Sequence, residues 1–538
     1  MRIDWRRYLL HRPVLIRTRA EAHLAKMIIA YIGVFSFVTV MRFYTFRTYI
    51  DLGIFDQALS STLHGKSFYE TPDTVIIPSG NFLGTHFSPF MYILLPIYAL
   101  RPEPTTLLVL QTLFLSLGAI PIYRVALHVI HRENPALILA ALYLLNPATQ
   151  SLNMFDFHLE AFLPFFIGMF YYSLLQGNWP RYFLFLGLSV ITMEFASIII
   201  GAVCISVIVS GKQSVRSLIL HPYSFLRHDM RQLAIPLLTI PVSVATLYGM
   251  LLGSSYFAGT EASAQRQVAG FFSSYGDWTV LGTRLVYWTL LFGSLVFLPL
   301  LSPKRLIMII PWMTVTFVSA IPVFGAIGYQ HAGGFAMPYM LLATVYSVDK
   351  IGYTLFLKRV LVVAIVVCLV MTPLNPLAQQ HLAGIAYEDG LPLPSQHDKL
   401  VYQALSLIPG NASILTQNNF FTQFTSRSNA YLYRPSNGIR PDYILADASS
   451  RWYVQSTFGT PAVCEEVLQG FVNADYGVIY YADGVILMQK GRLGVTPSSD
   501  QLHLLYDRCV PQRSCLGLQC HPAVETSERI RTPRQGAA

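Results

Sequence analysis

The sequence predicts a mainly α fold, a polytopic transmembrane helical bundle followed by a C-terminal α/β domain. Three observations predict it. Of 538 residues, 53 % are hydrophobic and only 12 % are charged, against about a quarter charged in an ordinary soluble domain. Long apolar runs are separated by short basic or aromatic loops instead of by polar helix faces, the pattern of repeated membrane crossings. After Pro373 the character changes to polar sequence with short β-type runs.

The first 26 residues, "MRIDWRRYLLHRPVLIRTRAEAHLAK", hold seven Lys and Arg and no small-residue cleavage site. They read as a cytoplasmic basic flank ahead of a retained first helix, not as a signal peptide. Spans are predicted near 27–46, 104–123, 135–150, 160–177, 181–193, 195–210, 232–252, 281–300, 306–324, 335–348 and 359–373. Together they make a transmembrane domain over 27–375 with a long first outer loop at 47–103. In this path the N-terminal side of the membrane holds 19 Lys and Arg, while the opposite loops hold chiefly Arg47, Lys66, Arg101, Arg266 and Arg284. The positive-inside rule then predicts a multi-pass cell-membrane protein with a cytoplasmic N-terminus. Segment 181–210 is read as two short passes, because one pass would turn the basic loop at 212–231 outward. The net charge of +9 follows from these loops and predicts the lipid bilayer, not nucleic acid, as partner.

Residues 376–538 form the predicted extracytoplasmic α/β domain, ending in a loose tail. Its β-type runs are "ASILT", "DYILAD" and "YGVIYYADGVILMQ", the last a hairpin with "ADG" at the turn. Cys464, Cys509, Cys515 and Cys520 lie in this domain. An oxidising exterior permits disulfides among them, with free thiols and a metal site as the alternatives. Cys204 and Cys368 lie in apolar spans and read as small packing residues.

On this path the unusual polar residues collect on the outer side. Asp51, Asp56 and His86 lie in the first outer loop, Asp156, His158 and Glu160 in "NMFDFHLEAF", Glu194 at the turn between the fifth and sixth passes, and Tyr329 and His331 in "GYQHAGGFAMPY". In an extended "DFHLE" the residues two apart share a side, so Asp156, His158 and Glu160 converge there as carboxylate and imidazole ligands. Each residue alone has an ordinary role at a span end. Asp51, for example, suits the cap of a short helix beginning near Leu52. Gln57 and Gln111 suit bonds to neighbouring backbone. The spacing of Ile54, Phe55, Ala58, Leu59 and Leu63 predicts an amphipathic helix along the surface, and "SPFMYILLPIYAL" a second interfacial or re-entrant piece.

The motifs "FRTYIDLGIFDQ", "HFSP", "FDFHLEAF", "TPLNP" and "IPGNASILTQNNFFTQFTSR" resemble a prokaryotic family of polytopic membrane proteins of unknown function, of the DUF2079 type. That family is considered similar to the GT-C glycosyltransferases. The resemblance covers about residues 40–490 and implies a GT-C-like bundle. It implies transfer of a sugar from a polyprenyl-phosphate donor to a glycan or protein acceptor at the outer face. By position, Asp51 or Asp56 matches the catalytic acid of the first loop. Asp156, with His158, Glu160 and His86, matches the holder of a divalent ion, Mg or Mn. Arg47, Gln57, Glu194, Arg284, Tyr329 and His331 are the candidate substrate contacts. A transporter or flippase of a lipid-linked or anionic substrate is the second reading, and a non-catalytic membrane scaffold the third.

Overall fold

A computed structural model describes residues 18–211, 230–259, 278–319, 321–379, 391–435, 438–455, 460–473, 475–492, 505 and 507–509. Among the described residues, four helical segments are long and apolar enough to cross a membrane: Arg19–Tyr44, Pro104–Ile130, Leu159–Gln176 and Leu233–Ala258. Shorter apolar helices accompany them, among them Glu133–Leu145, Glu194–Ser210 and Leu306–Val318. The protein is mainly α and multi-spanning, with a small β-sheet in its C-terminal region.

Local sequence explains the helix boundaries. Pro147 opens a helix behind Asn146, whose side chain accepts from the Ala148 amide, and Asn178 caps Trp179–Thr192 in the same way through the Arg181 amide. Gly177, at φ 64°, closes the preceding helix. Between Trp179–Thr192 and Glu194–Ser210 the chain breaks at Met193, which is extended. The segment expected at 104–123 is longer, running as Pro104–Leu117 and Ala119–Ile130 around Gly118. Gly118 sits against the Tyr143 ring, whose hydroxyl donates to the Leu115 carbonyl at 2.8 Å.

The chain divides into two compact units. The first comprises Met1–Val38, Val109–Leu247 and Phe271–Gly390. Its core is aliphatic and aromatic throughout, with Tyr123, Phe170, Tyr171, Leu291, Met340 and Leu361 fully buried. The second comprises Thr39–Leu108, Tyr248–Gly270 and Leu391–Ala538. It therefore joins the sheet region to the first loop, which the sequence reading had assigned to the membrane part.

The sheet of the second unit has the order β2-β1-β3-β5-β4, built from β1 Ile414–Thr416, β2 Ala430–Tyr431, β3 Tyr443–Asp447, β4 Tyr476–Ala482 and β5 Val485–Lys490. β1 runs parallel to β2 and β3, and β5 runs antiparallel to β3 and β4. Alternation sorts the side chains strictly. Ile414, Tyr443, Leu445, Val485 and Leu487 face one core together with Phe46, Phe420, Phe421 and Phe424. Leu415, Ile444, Ala446, Ile486 and Met488 face the other, under helix Val463–Val472. The β4–β5 turn is Asp483–Gly484 with φ 48° and 83°, the left-handed pair that matches the twist of a two-residue hairpin. β2, two residues long, carries no readable period. Cys464 and Cys509 form a disulfide, while Cys515 and Cys520 lie outside the described residues.

A histidine ties the N-terminal turn of helix Gln396–Ser406 to the sheet. His397 Nδ1 donates to Asp483 at 2.8 Å and Nε2 to Asp447 at 3.0 Å, while Ser449 Oγ donates to the other Asp447 oxygen at 2.6 Å. The Asp447 bond outweighs partial burial, and with Asp483 it pushes the imidazole up to about 9. A raised histidine stabilises the fold fully below its unfolded value, about 6.5, and that contribution is lost as pH rises through 9. His397→Gln is expected to lower the melting temperature at pH 6 but not at pH 10. With Asp483 exposed to solvent, the difference amounts to roughly 1–2 kcal/mol. Equal losses at both pH values in a thermal-shift series would contradict this account.

Candidate functional site

In the second unit the first loop folds onto the sheet region. Helix Ile50–Leu63 begins at Ile50, with Tyr49 as its N-cap. Asp51 therefore lies inside the first turn and is not the cap expected from the sequence. The Ile50 amide donates to Asn418 Oδ1 at 2.8 Å. Gln57 Oε1 accepts from the Thr71 amide at 2.8 Å, and its Nε2 donates to the Arg427 carbonyl at 2.9 Å. Thr71 also donates to the Ala430 carbonyl at 2.6 Å. Gly53 meets the Phe421 ring so closely that a Cβ there would stand 2.5 Å from it. Leu52, Gly53 and Phe55 through Ser61 are all buried. The surface-lying amphipathic helix expected from the apolar spacing is thus a helix enclosed on most sides, because the segment Asn418–Arg427 covers it. Gln57 is spent on holding the loop.

The two aspartates of the helix end in different environments. Asp56 is 1 % exposed and accepts from Tyr98 Oη at 2.7 Å and Thr425 Oγ1 at 2.6 Å. Burial pushes its carboxyl up to about 6, against the two hydrogen bonds that pull it down. Asp51, one turn earlier, is half-buried.

Asp51 has acidic company that the sequence reading passed over. The loop "YETPDT" places Glu70 and Asp73 three residues apart around a 3-10 helix, Pro72–Val75, that begins with proline. Both acids are buried, and Glu70 Oε2 accepts from the Asp73 amide at 2.8 Å. Glu70 Oε1 has no donor beside it. Its side-chain neighbour is the Asp73 carboxyl, itself an acceptor. Burial and this contact push Glu70 well above the usual carboxylate range. Burial also raises Asp73, while Thr85 and the nearby His86 pull it down and Asp51 pushes it up. Asp73 therefore feels both Asp51 and His86 electrostatically. Two acids at i, i+3 in the same loop as Asp51 were the available sequence signal.

Arg47 is half-buried, and its guanidinium donates to the Leu391 and Leu393 carbonyls at 3.4 and 3.3 Å.

The remaining predicted residues lie in the first unit. Asp156 and His158 are extended, and Glu160 follows in a 3-10 helix, Leu159–Phe162. The extended spacing that would align three ligands therefore ends at His158. Gln111 sets this segment in place. Its Nε2 donates to the carbonyls of Leu152, Asn153 and Asp156, and its Oε1 accepts from the His158 amide at 2.6 Å. Glu160 Oε1 pairs with His331 Nδ1 at 2.9 Å. His331 is boxed by the rings of Trp312, Phe324 and Phe335. The two glycines of "HAGGF" make the approach possible: a Cβ on Gly333 would stand 2.5 Å from the Ala148 carbonyl, and one on Gly334 2.7 Å from Glu160 Cβ. Tyr329 packs edge-on against Phe155, and Glu194 opens its helix half-buried. Arg284 is 3 % exposed and donates to the carbonyls of Ser319 and Ile321, so it braces a turn. Among the described residues no group of three or more His, Cys, Asp or Glu side chains is arranged to hold a metal ion. Of the four predicted ligands, Glu160 pairs with His331, and Asp156, His158 and Glu160 belong to the first unit while His86 belongs to the second.

A family model described as "Predicted membrane protein (DUF2079)" matches residues 42–487. No curated protein matches the chain. The matched stretch contains the membrane-spanning helices from Pro104 onward, the first loop with Asp51 and the sheet as far as the start of β5, and the chain belongs to this family of predicted membrane proteins.

Proposed function

We propose that the protein transfers a sugar from a polyprenyl-phosphate donor to a glycan or protein acceptor at the non-cytoplasmic face, with Asp51 as general base. The observation that carries this reading is the contrast between the two helix aspartates. Asp56 is enclosed and bonded to Tyr98 and Thr425, whereas Asp51 is half-buried and acts electrostatically on Asp73. In the reaction an acceptor hydroxyl attacks the anomeric carbon and its proton passes to Asp51. The bond from that carbon to the phosphate oxygen breaks, its electron pair leaves with the lipid phosphate, and the anomeric configuration inverts. A phosphate leaves without needing a proton, so one base suffices. No step is assigned to a metal ion.

The test is deletion of the gene followed by mass spectrometry of cell-surface glycans and proteins, together with incubation of the purified protein with polyprenyl-phosphate sugars from the same membranes. A lost glycan mass, and its restoration in vitro with release of polyprenyl phosphate, is the expected result. Movement of a labelled lipid-linked sugar across proteoliposomes without a covalent product would replace this reading by transport. Unchanged glycans together with loss of a membrane complex would replace it by a scaffold.

A further inference from the structure

The chain re-enters the second unit through "LPLPS", just before the capped helix Gln396–Ser406. Leu393 is 71 % exposed and Leu391 39 %. A single exposed leucine needs no explanation. Two features set this pair apart.

The first is the backbone between them. Pro392 and Pro394 carry no amide proton. The Leu393 amide donates to the Leu391 carbonyl at 2.9 Å. The Arg47 guanidinium donates to both leucine carbonyls, at 3.4 and 3.3 Å. The leucine side chains therefore face outward while both leucine carbonyls and the amide between them are paired. A loop in water has solvent for these groups. A loop in a bilayer has none and must satisfy them within the protein.

The second feature is position. Helix Arg19–Tyr44 is long and apolar enough to span a membrane. Its uncharged run starts after Lys26. From Met27 to Tyr44 the helix rises about 27 Å, close to the roughly 30 Å of a hydrocarbon core, so Tyr44 stands at the headgroup boundary. Tyr402 is 40 % exposed, donates its hydroxyl to the Tyr44 carbonyl at 2.9 Å and sets its ring 4.9 Å from that of Phe46. Arg47 follows Tyr44 by three residues. Two separate links thus tie the leucine loop and the helix behind it to the end of this span.

We propose that Leu391 and Leu393 insert into the headgroup–acyl boundary of the leaflet in which helix Arg19–Tyr44 ends, and that the C-terminal region rests on the membrane through them. The occupant of this surface is phospholipid. Arg47 pairs the two carbonyls and keeps its charge at headgroup level, as arginines near span ends do. Tyr44 and Tyr402 add rings at the depth that tyrosine favours. The inference does not depend on the sugar-transfer reading.

Depth can be measured directly. The full-length chain in phospholipid nanodiscs, with Leu393→Cys carrying a nitroxide, is read by power-saturation spectroscopy. The relaxants are oxygen, which concentrates among acyl chains, and a water-soluble nickel chelate. The signal of the identically treated unsubstituted chain is subtracted. Val34→Cys, exposed on the span, calibrates lipid, and Asn411→Cys, in an exposed turn, calibrates water. The label at position 393 is expected to favour oxygen and to report a depth of about 5–10 Å into the headgroup–acyl boundary. Nickel access equal to that at position 411 would place the loop in water and overturn the inference. Shielding from both relaxants would put protein on this surface, a second copy or a partner, and overturn it equally. A further measurement needs no substitution: the chain is irradiated in nanodiscs containing a diazirine phospholipid and digested. Lipid adducts are expected on the peptide that holds Leu391 and Leu393, and adducts confined to the spans would overturn the lipid contact.

Discussion

On the proposed reaction, Asp51→Asn is expected to lower sugar transfer by about 10²- to 10⁴-fold, the usual worth of a general base. Bonds that hold this helix to the sheet region run from Ile50, Asp56 and Gln57. Asp56→Asn gives the opposite pattern. Its amide keeps an acceptor for Thr425 and meets Tyr98 through a hydroxyl that rotates, so transfer survives within a few-fold. The pH dependence gives a second readout. A carboxyl held at about 6 in the folded protein instead of 3.8 favours the protonated fold, so its stability is greatest below pH 4 and falls as pH rises through 6. The loss is on the order of 3 kcal/mol, and Asp56→Asn removes it, flattening the stability profile between pH 4 and 6. Asp56→Ala strands the Tyr98 and Thr425 hydroxyls in a buried space and destabilises at every pH. Measured transfer and melting curves on the three variants decide the assignment. Activity retained in Asp51→Asn and lost in Asp56→Asn would reverse it.

The second large effect is structural. Phe421→Ala removes a fully buried ring that fills the space over Gly53 and belongs to the core shared by Phe46, Phe420 and Leu445. A Phe-to-Ala cavity in a packed core costs about 3–5 kcal/mol. The cost falls on the docking of the first loop, so limited proteolysis is expected to cut near residues 64–67, where the chain is exposed, faster than in wild type. Transfer falls with it, since the same docking positions the start of the Asp51 helix. A Phe421→Leu variant, which keeps most of the volume, is expected to recover most of the protection and the activity. Unchanged proteolysis in Phe421→Ala would show that the loop is held by its hydrogen bonds and not by this ring.

Local patterns in the chain foretold a good deal of this protein. The share of apolar residues and the spacing of apolar runs determined a multi-spanning, mainly α membrane protein, because a bilayer core demands long uncharged segments whatever they pack against. The run "YGVIYYADGVILMQ" determined a hairpin, because alternation and a left-handed turn pair are properties of adjacent residues. The resemblance carried by "YIDLGIFDQ" and "FFTQFTSR" foretold family membership. Gln57 and Gln111 as backbone-binding side chains were also legible, being polar groups set among apolar neighbours that need partners.

Tertiary structure decided the rest. Thr425 reaches Asp56 from 369 residues away, and Arg427 reaches Gln57 from 370. No local period records such a pairing. Whether Asp51 or Asp56 stands at the surface depends on which part of the chain covers the helix, and the amphipathic spacing that suggested a surface helix is equally the spacing of a helix buried under Phe421. The upward shift of Glu70 comes first from desolvation, which comes from packing and not from the residue types. The sequence by itself determined the solvent, the elements and the family. The long-range contacts decided which carboxylate is buried, since the charge a group carries and the chemistry it performs depend on the atoms that replace its water.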